Sequence, residues 1–247
     1  MTENDLTIAL SEGVLAELSE AIRIHPQLDM VLTSLPSALV KTGEMILQEE
    51  VQSYPEKRIE SLFLYPLNHL IGTNFLKDYL SSSGLVDARL DQRSFAGLMG
   101  TRHEEMKKNF PPKSSHGYTR KQAKEFAWYI TYQWLLNQHR IFIEQFTDNL
   151  SNLKVEVFQS IQLRSSVQFY KYYLGRRTPK TSDFGDLFHL SYLPYCETAI
   201  LEKDLGETLR QIKQREGILE NVRIENLDFI RKLKKENSIK RIYQLHL

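Results

Sequence analysis

The chain has 247 residues, of which 41% are hydrophobic and 26% charged, a composition typical of a soluble globular protein with a substantial core. Because the net charge is only +1, any nucleic-acid surface must be a local concentration of Lys and Arg. The single cysteine, Cys196, excludes an intramolecular disulfide, and no apolar run reaches the roughly 18 residues of a membrane span, so we expect a cytoplasmic protein.

The first predicted element is a short apolar strand over residues 6–10, LTIAL. Ser11 is a capable N-cap for the helix that follows, in which four apolar residues form one stripe: Val14, Leu15, Leu18 and Ile22. Glu17 lies at the edge of that stripe. Its carboxylate is either a solvated helix side chain or a functional group.

Residues 29–174 are predicted to be mainly helical, with a long loop at 109–119, NFPPKSSHGYT. Aromatic and aliphatic side chains recur at helical spacing over 120–150 and again over 154–174, which predicts two long helices. The aromatic stripe of the first of these could stack nucleotide bases, but it is more typical of a core face. We interpret this region as a helical cap packed on a sheet.

The C-terminal third begins with a basic turn, RRTPK, after which Ser182 and Asp183 are both suited to be the N-cap of a helix over 184–193. Thr198–Leu201 is a short apolar run that predicts a buried parallel strand. A helix is then predicted to end at Gly217, and a last strand is predicted at 221–224.

Asp186 and His189 are three residues apart, on one face of the predicted 184–193 helix, and the strand that follows closes on acidic residues. This pattern resembles the C-terminal half of a PIN domain, whose common form is an Asp-Ala-x-His helix followed by an apolar strand ending in Thr-x-Asp. Asp186 and His189 match the helix, and Glu197 falls where the family often places an aspartate. Asp204 matches the final acid, with Glu202 in place of the threonine.

The N-terminal strand and the V-L-A-E-L helix that carries Glu17 also resemble a PIN domain, in which an acidic helix follows a strand. The family has an earlier strand that bears an aspartate, and it has no counterpart ahead of Leu6. We therefore expect either a start codon that is too late or a domain that naturally lacks this strand.

The resemblance implies an α/β protein with a PIN-like three-layer fold, a short parallel sheet and a long, mainly helical insertion. It implies a single domain over 1–247, with the insertion at 29–174 and a C-terminal α/β half at 176–233. The activity it implies is that of a metal-dependent endoribonuclease, a hydrolase that cleaves RNA phosphodiesters.

The residues implied as catalytic and metal-binding are Glu17, Asp186 and Asp204. A cluster of carboxylates is rich in hard oxygen ligands, which selects Mg²⁺ or Mn²⁺ over zinc. Like carboxylates repel one another unless a cation lies between them. Convergence of the three would therefore itself indicate a metal ion.

Several other residues are candidates for supporting roles. The cations of the basic turn could hold a phosphate backbone or simply form a solvated turn: Arg176, Arg177 and Lys180. Asp183 is a helix cap or an outer-shell metal ligand, His189 orients a carboxylate or water or is a polar residue at the helix edge, and Glu202 is a further supporting acid.

Two other interpretations of the sequence remain open. The chain could be a catalytically incomplete PIN-like protein that binds RNA or a protein partner such as an antitoxin-like regulator. It could also be a mostly helical interaction protein that resembles the family by accident. Phosphate-binding loops, dinucleotide fingerprints and the common hydrolase motifs do not occur in the sequence.

Overall fold

The computed structural model describes residues 7–11, 14, 37–66, 101–180, 183, 187, 189–226 and 228–229. The chain divides into two compact units, Met1–Tyr192 and Leu193–Leu247, which we describe separately. Helices combine with small sheets in the described residues, which confirms the predicted α/β class.

The first unit contains a sheet of three strands: β1 (Ile8–Leu10), β2 (Ser37–Val40) and β3 (Phe63–Pro66). β1 and β2 are parallel, whereas β3 runs antiparallel to β2. All four residues of β2 are buried, as expected for a short apolar strand paired on both sides. β1 confirms the strand predicted at 6–10.

β2 and β3 lie inside 29–174, the region predicted to be mainly helical, and neither strand was predicted. Each strand is only four residues long, which is too short to display a period of two or to be distinguished from part of a helix.

The first unit also contains several helices: α1 (Gly43–Gln52), α2 (Gln122–Gln138), α3 (Arg140–Glu144) and α4 (Gln159–Gln168), with a π-helix at Phe169–Leu174. Residues 101–109 are helical as well, and 3₁₀ turns lie at Leu150–Asn152 and Val155–Val157. The helix predicted over 120–150 is interrupted at His139, whose φ of −131° and ψ of 49° are not helical. The helix predicted over 154–174 starts with a 3₁₀ turn and changes to π geometry at Phe169.

The core of this unit is formed where α2, α4 and the residues before α4 pack together. Phe126, Leu135 and Phe158 are each 1% exposed or less. The aromatic stripe predicted on α2 therefore supplies core side chains. Glu50 of α1 is a buried carboxylate that accepts hydrogen bonds from the backbone N–H (2.8 Å) and the hydroxyl (2.5 Å) of Ser160, in the first turn of α4.

The second unit is a strand–helix–strand motif: β4 (Thr198–Leu201), α5 (Lys203–Glu216) and β5 (Arg223–Asn226), with a 3₁₀ turn at Leu193–Tyr195 before it. β4 and β5 are parallel. α5 ends at Gly217, whose φ of 69° is left-handed, which confirms the predicted glycine cap. No described helix is long and apolar enough to cross a membrane.

Candidate functional site

The candidate site lies at the carboxyl ends of β1 and β2. These two strands are parallel, so their ends meet at one edge of the sheet, which is where α/β proteins commonly build sites. Ser11 follows β1, and Lys41 and Thr42 follow β2. Polar side chains are therefore concentrated at this edge.

Ser11 connects this edge to the predicted D-x-x-H segment. Its Oγ lies 2.9 Å from Nδ1 of His189, in a hydrogen bond between residues 178 positions apart in the sequence. The same hydroxyl accepts a hydrogen bond of 3.2 Å from the backbone N–H of Val14, which is the N-cap contact predicted for Ser11. The start of the N-terminal helix and the His189 segment are therefore held together.

A second contact places the same segment beside the end of β2. Ser191 is 1% exposed, and a Cβ atom added to Gly43, the first residue of α1, would lie 3.0 Å from the Ser191 hydroxyl oxygen. Only glycine allows this close approach without a shift of the neighbouring group. Residues 189–191 thus pack against the ends of both parallel strands.

The edge also carries an ion pair that the sequence analysis did not identify. The Lys41 ammonium pairs with the Glu49 carboxylate of α1, and the two side chains are only 10% and 21% exposed. The other Glu49 oxygen accepts the backbone N–H of Glu60 at 3.3 Å, and Thr42 caps α1 by accepting the N–H of Met45 at 3.3 Å. The only feature of the sequence that could have indicated Lys41 is its position directly after an apolar run.

Two of the three predicted catalytic acids, Glu17 and Asp186, lie outside the described residues. Asp204 is exposed and belongs to the first turn of α5, in the second unit. Glu202 directly follows β4 and is the N-cap residue of α5, but its side chain makes no capping hydrogen bond. Glu202 is therefore the acid closest to the carboxyl end of that strand, two positions before the predicted Asp204.

The predicted basic turn is tightly organised around Asp183. This carboxylate is 4% exposed and accepts hydrogen bonds from the Arg177 guanidinium (2.8 Å) and the Lys180 backbone N–H (2.9 Å). The contact from Asp183 to a backbone N–H three residues earlier is the one made by the acid at the third helical position of a capping box, and Asp183 is itself helical. The prediction of Asp183 as the N-cap residue is therefore wrong, because its carboxylate bonds back towards Lys180 and not forward into the next turn. Arg176 has a φ of 55°, and its guanidinium donates to the carbonyl of His116 at 2.5 Å.

Carboxylates have the right donor chemistry for Mg²⁺ or Mn²⁺. Within the described ranges, no group of three or more His, Cys, Asp or Glu side chains is arranged to hold a metal ion. A site of the predicted composition would therefore need ligands from Glu17 and Asp186.

No family model, curated protein or solved structure matches this chain. The likeness to PIN domains therefore depends on the residues of the D-x-x-H segment, the strand after it and the helix predicted to carry Glu17.

Proposed function

We propose that the chain is a PIN-like, metal-dependent endoribonuclease that hydrolyses RNA phosphodiesters. The observation that supports this most directly is the hydrogen bond between Ser11 and His189. It brings His189, the histidine of the D-x-x-H motif, to the carboxyl end of β1, which the helix predicted to carry Glu17 follows. A PIN-like organisation requires these two parts of the chain to be neighbours.

The proposed ligands for Mg²⁺ or Mn²⁺ are Glu17, Asp186 and Asp204, with Glu202 as an additional acid at the end of β4. When bound, the ion would lower the pKa of a water molecule and neutralise charge on the phosphodiester. His189 acts as a positioning residue in this scheme, because its Nδ1 is held by Ser11 and it lies three residues after Asp186 in the sequence.

Arg176, Arg177 and Lys180 are the proposed contacts to the RNA backbone. The side chains of Arg176 and Lys180 are exposed, and the Arg176 guanidinium is bound to a neutral carbonyl group, so its positive charge is not compensated by that contact. Arg177 shares its charge with Asp183. We therefore expect Arg177 to contribute less to phosphate binding than the other two.

The direct test is cleavage of a fluorophore–quencher RNA in the presence of Mn²⁺ by the wild type and by Asp186→Asn. We expect the substitution to abolish cleavage while the melting temperature stays the same or rises, because it removes one of several crowded carboxylates. Asp148→Asn is the matched control, since it changes an exposed aspartate elsewhere in the first unit. Wild-type activity in Asp186→Asn, or a large loss of its stability, would contradict the assigned role.

A second candidate function is a non-catalytic PIN-like protein that binds RNA or a protein partner. The ion pair of Lys41 and Glu49 favours it, because an ammonium group already neutralises a carboxylate at the edge where a divalent ion is expected. This alternative predicts RNA binding that is equal in Mn²⁺ and in EDTA, without cleavage in either.

A further inference from the structure

Positive charge is unevenly distributed along this chain. Residues 107–124 and 171–182, which we call the basic face, contain ten Lys and Arg residues and no Asp or Glu: Lys107, Lys108, Lys113, Arg120, Lys121, Lys124, Lys171, Arg176, Arg177 and Lys180. The whole chain has a net charge of +1, so the remaining residues carry a net charge of −9. The chain therefore has a net charge close to zero but contains a strongly basic region.

The two segments of the basic face are joined in space. The Arg176 guanidinium donates to the carbonyl of His116, and a Cβ atom on Gly117 would lie 3.2 Å from Nη2 of the same arginine. Gly117 has a φ of 107°, a conformation that favours glycine. The ring of Tyr118 packs edge-on against Tyr173 of the π-helix, with centroids 5.2 Å apart.

Gln122 holds the loop that precedes α2 in one conformation, and this loop carries Lys113, Arg120 and Lys121. This side chain is 2% exposed and accepts the backbone N–H groups of Lys113 (3.3 Å) and Thr119 (3.2 Å), while its amide donates to the carbonyl of Pro111 (3.2 Å). The Tyr118 hydroxyl also donates to the Phe110 carbonyl at 2.7 Å. Binding therefore requires little ordering of this loop.

Most of this charge is available to a partner. Lys107, Lys113 and Arg177 form ion pairs with acidic residues just outside the basic face: Glu104, Glu125 and Asp183. Five further cations have exposed side chains: Lys108, Arg120, Lys121, Lys124 and Lys180. Like charges held close together raise the local concentration of polyanions.

We propose that the basic face binds the phosphate backbone of single-stranded RNA. This surface adds the loop before α2 and the start of α2 to the contacts proposed for Arg176, Arg177 and Lys180. The choice of RNA as the partner rests on the proposed function. Repeated charge suits a uniformly charged backbone. A lipid surface fits less well, because the exposed large apolar side chains of the described residues lie outside the basic face: Met45, Leu64, Ile141 and Ile200.

The test is fluorescence anisotropy of a labelled oligouridylate with the full chain in EDTA, over a series of KCl concentrations. The variant Arg120→Gln/Lys121→Gln/Lys124→Gln is compared with a control that also removes three exposed cations, Lys57→Gln/Lys203→Gln/Arg215→Gln. Each lost phosphate contact lowers the slope of log affinity against log salt by about 0.7, so three contacts correspond to about 2 in slope and about 100-fold in affinity near 0.1 M salt.

We expect the basic-face variant to show this loss and the control to retain nearly the wild-type slope, with circular dichroism showing that both are folded. Equal slopes for the two variants would overturn the proposal, as would an absence of RNA binding at low salt. It would also be overturned if polyglutamate displaced the labelled oligouridylate as effectively as RNA does. The result is separable from nuclease activity. Binding without Mn²⁺-dependent cleavage would overturn the proposed hydrolysis alone, whereas cleavage with unchanged binding in the basic-face variant would overturn the basic face alone.

Discussion

Replacing Ser11 with alanine tests the contact that holds the candidate site together. Ser11 is 8% exposed, and its hydroxyl caps the helix that includes Val14 and bonds to His189. Loss of an N-cap side chain costs about 1 kcal/mol, and loss of a hydrogen bond of this kind costs about 1 kcal/mol more. Ser11→Ala should therefore lower the free energy of unfolding by about 2 kcal/mol, and the melting temperature by about 4–8 °C for a chain of this size.

The assay is thermal unfolding followed by circular dichroism, arranged as a double-mutant cycle with His189→Ala. If Ser11 and His189 are bonded, the double variant should be about 1 kcal/mol more stable than the sum of the single losses predicts. Ser11→Thr keeps the hydroxyl and should retain most of the stability. Strictly additive losses would refute the reasoning, because they would mean that the D-x-x-H segment is not held at the end of β1.

Three further predictions concern residues outside the site. Burial raises the pKa of the Cys196 thiol from 9.0 to about 11. The thiolate fraction at pH 8, and with it the rate of alkylation by iodoacetamide, should therefore be about 100-fold lower in the folded protein than in urea. Equal alkylation rates in the two conditions would contradict this prediction. Burial, with the nearby Lys107 ammonium, lowers the pKa of His103 below its usual 6.5, so the unfolded chain binds more protons and stability should fall as the pH drops below about 6.5. His103→Phe should flatten that dependence in urea titrations at several pH values, and an unchanged dependence in this variant would contradict the role given to His103. Gly217→Ala should destabilise the protein by about 1 kcal/mol in the same titrations, because the φ of 69° at this helix end is costly for alanine; an unchanged midpoint would show that the cap is not needed.

Elements with strong local signals could be predicted from the sequence. β4 follows from an apolar run, α5 from apolar residues at helical spacing, and the end of α5 from Gly217. β2 and β3 are as short as β4, but they lie in a region whose apolar residues were assigned to helices, and a short apolar run cannot be distinguished from part of a helix by periodicity alone.

The contacts that form the candidate site could not be predicted from the sequence either. The hydrogen bond of Ser11 with His189 joins residues 178 positions apart, and no local pattern selects that partner. The ion pair of Lys41 with Glu49 depends on how α1 folds back beside the end of β2. β4 ends at Leu201 as predicted, but the sequence does not decide which of the two acids that follow, Glu202 or Asp204, would serve a site at that end.

Calorimetric titration of the full chain with Mn²⁺, in the absence of RNA, tests the central claim most directly. The wild type is compared with Glu17→Gln, Asp186→Asn and Asp204→Asn, and with Asp148→Asn as the control. We expect the wild type to bind Mn²⁺, each of the first three substitutions to weaken this binding, and the control to leave it unchanged. An absence of binding at millimolar Mn²⁺, or binding that none of the three substitutions weakens, would contradict a carboxylate metal site in this protein.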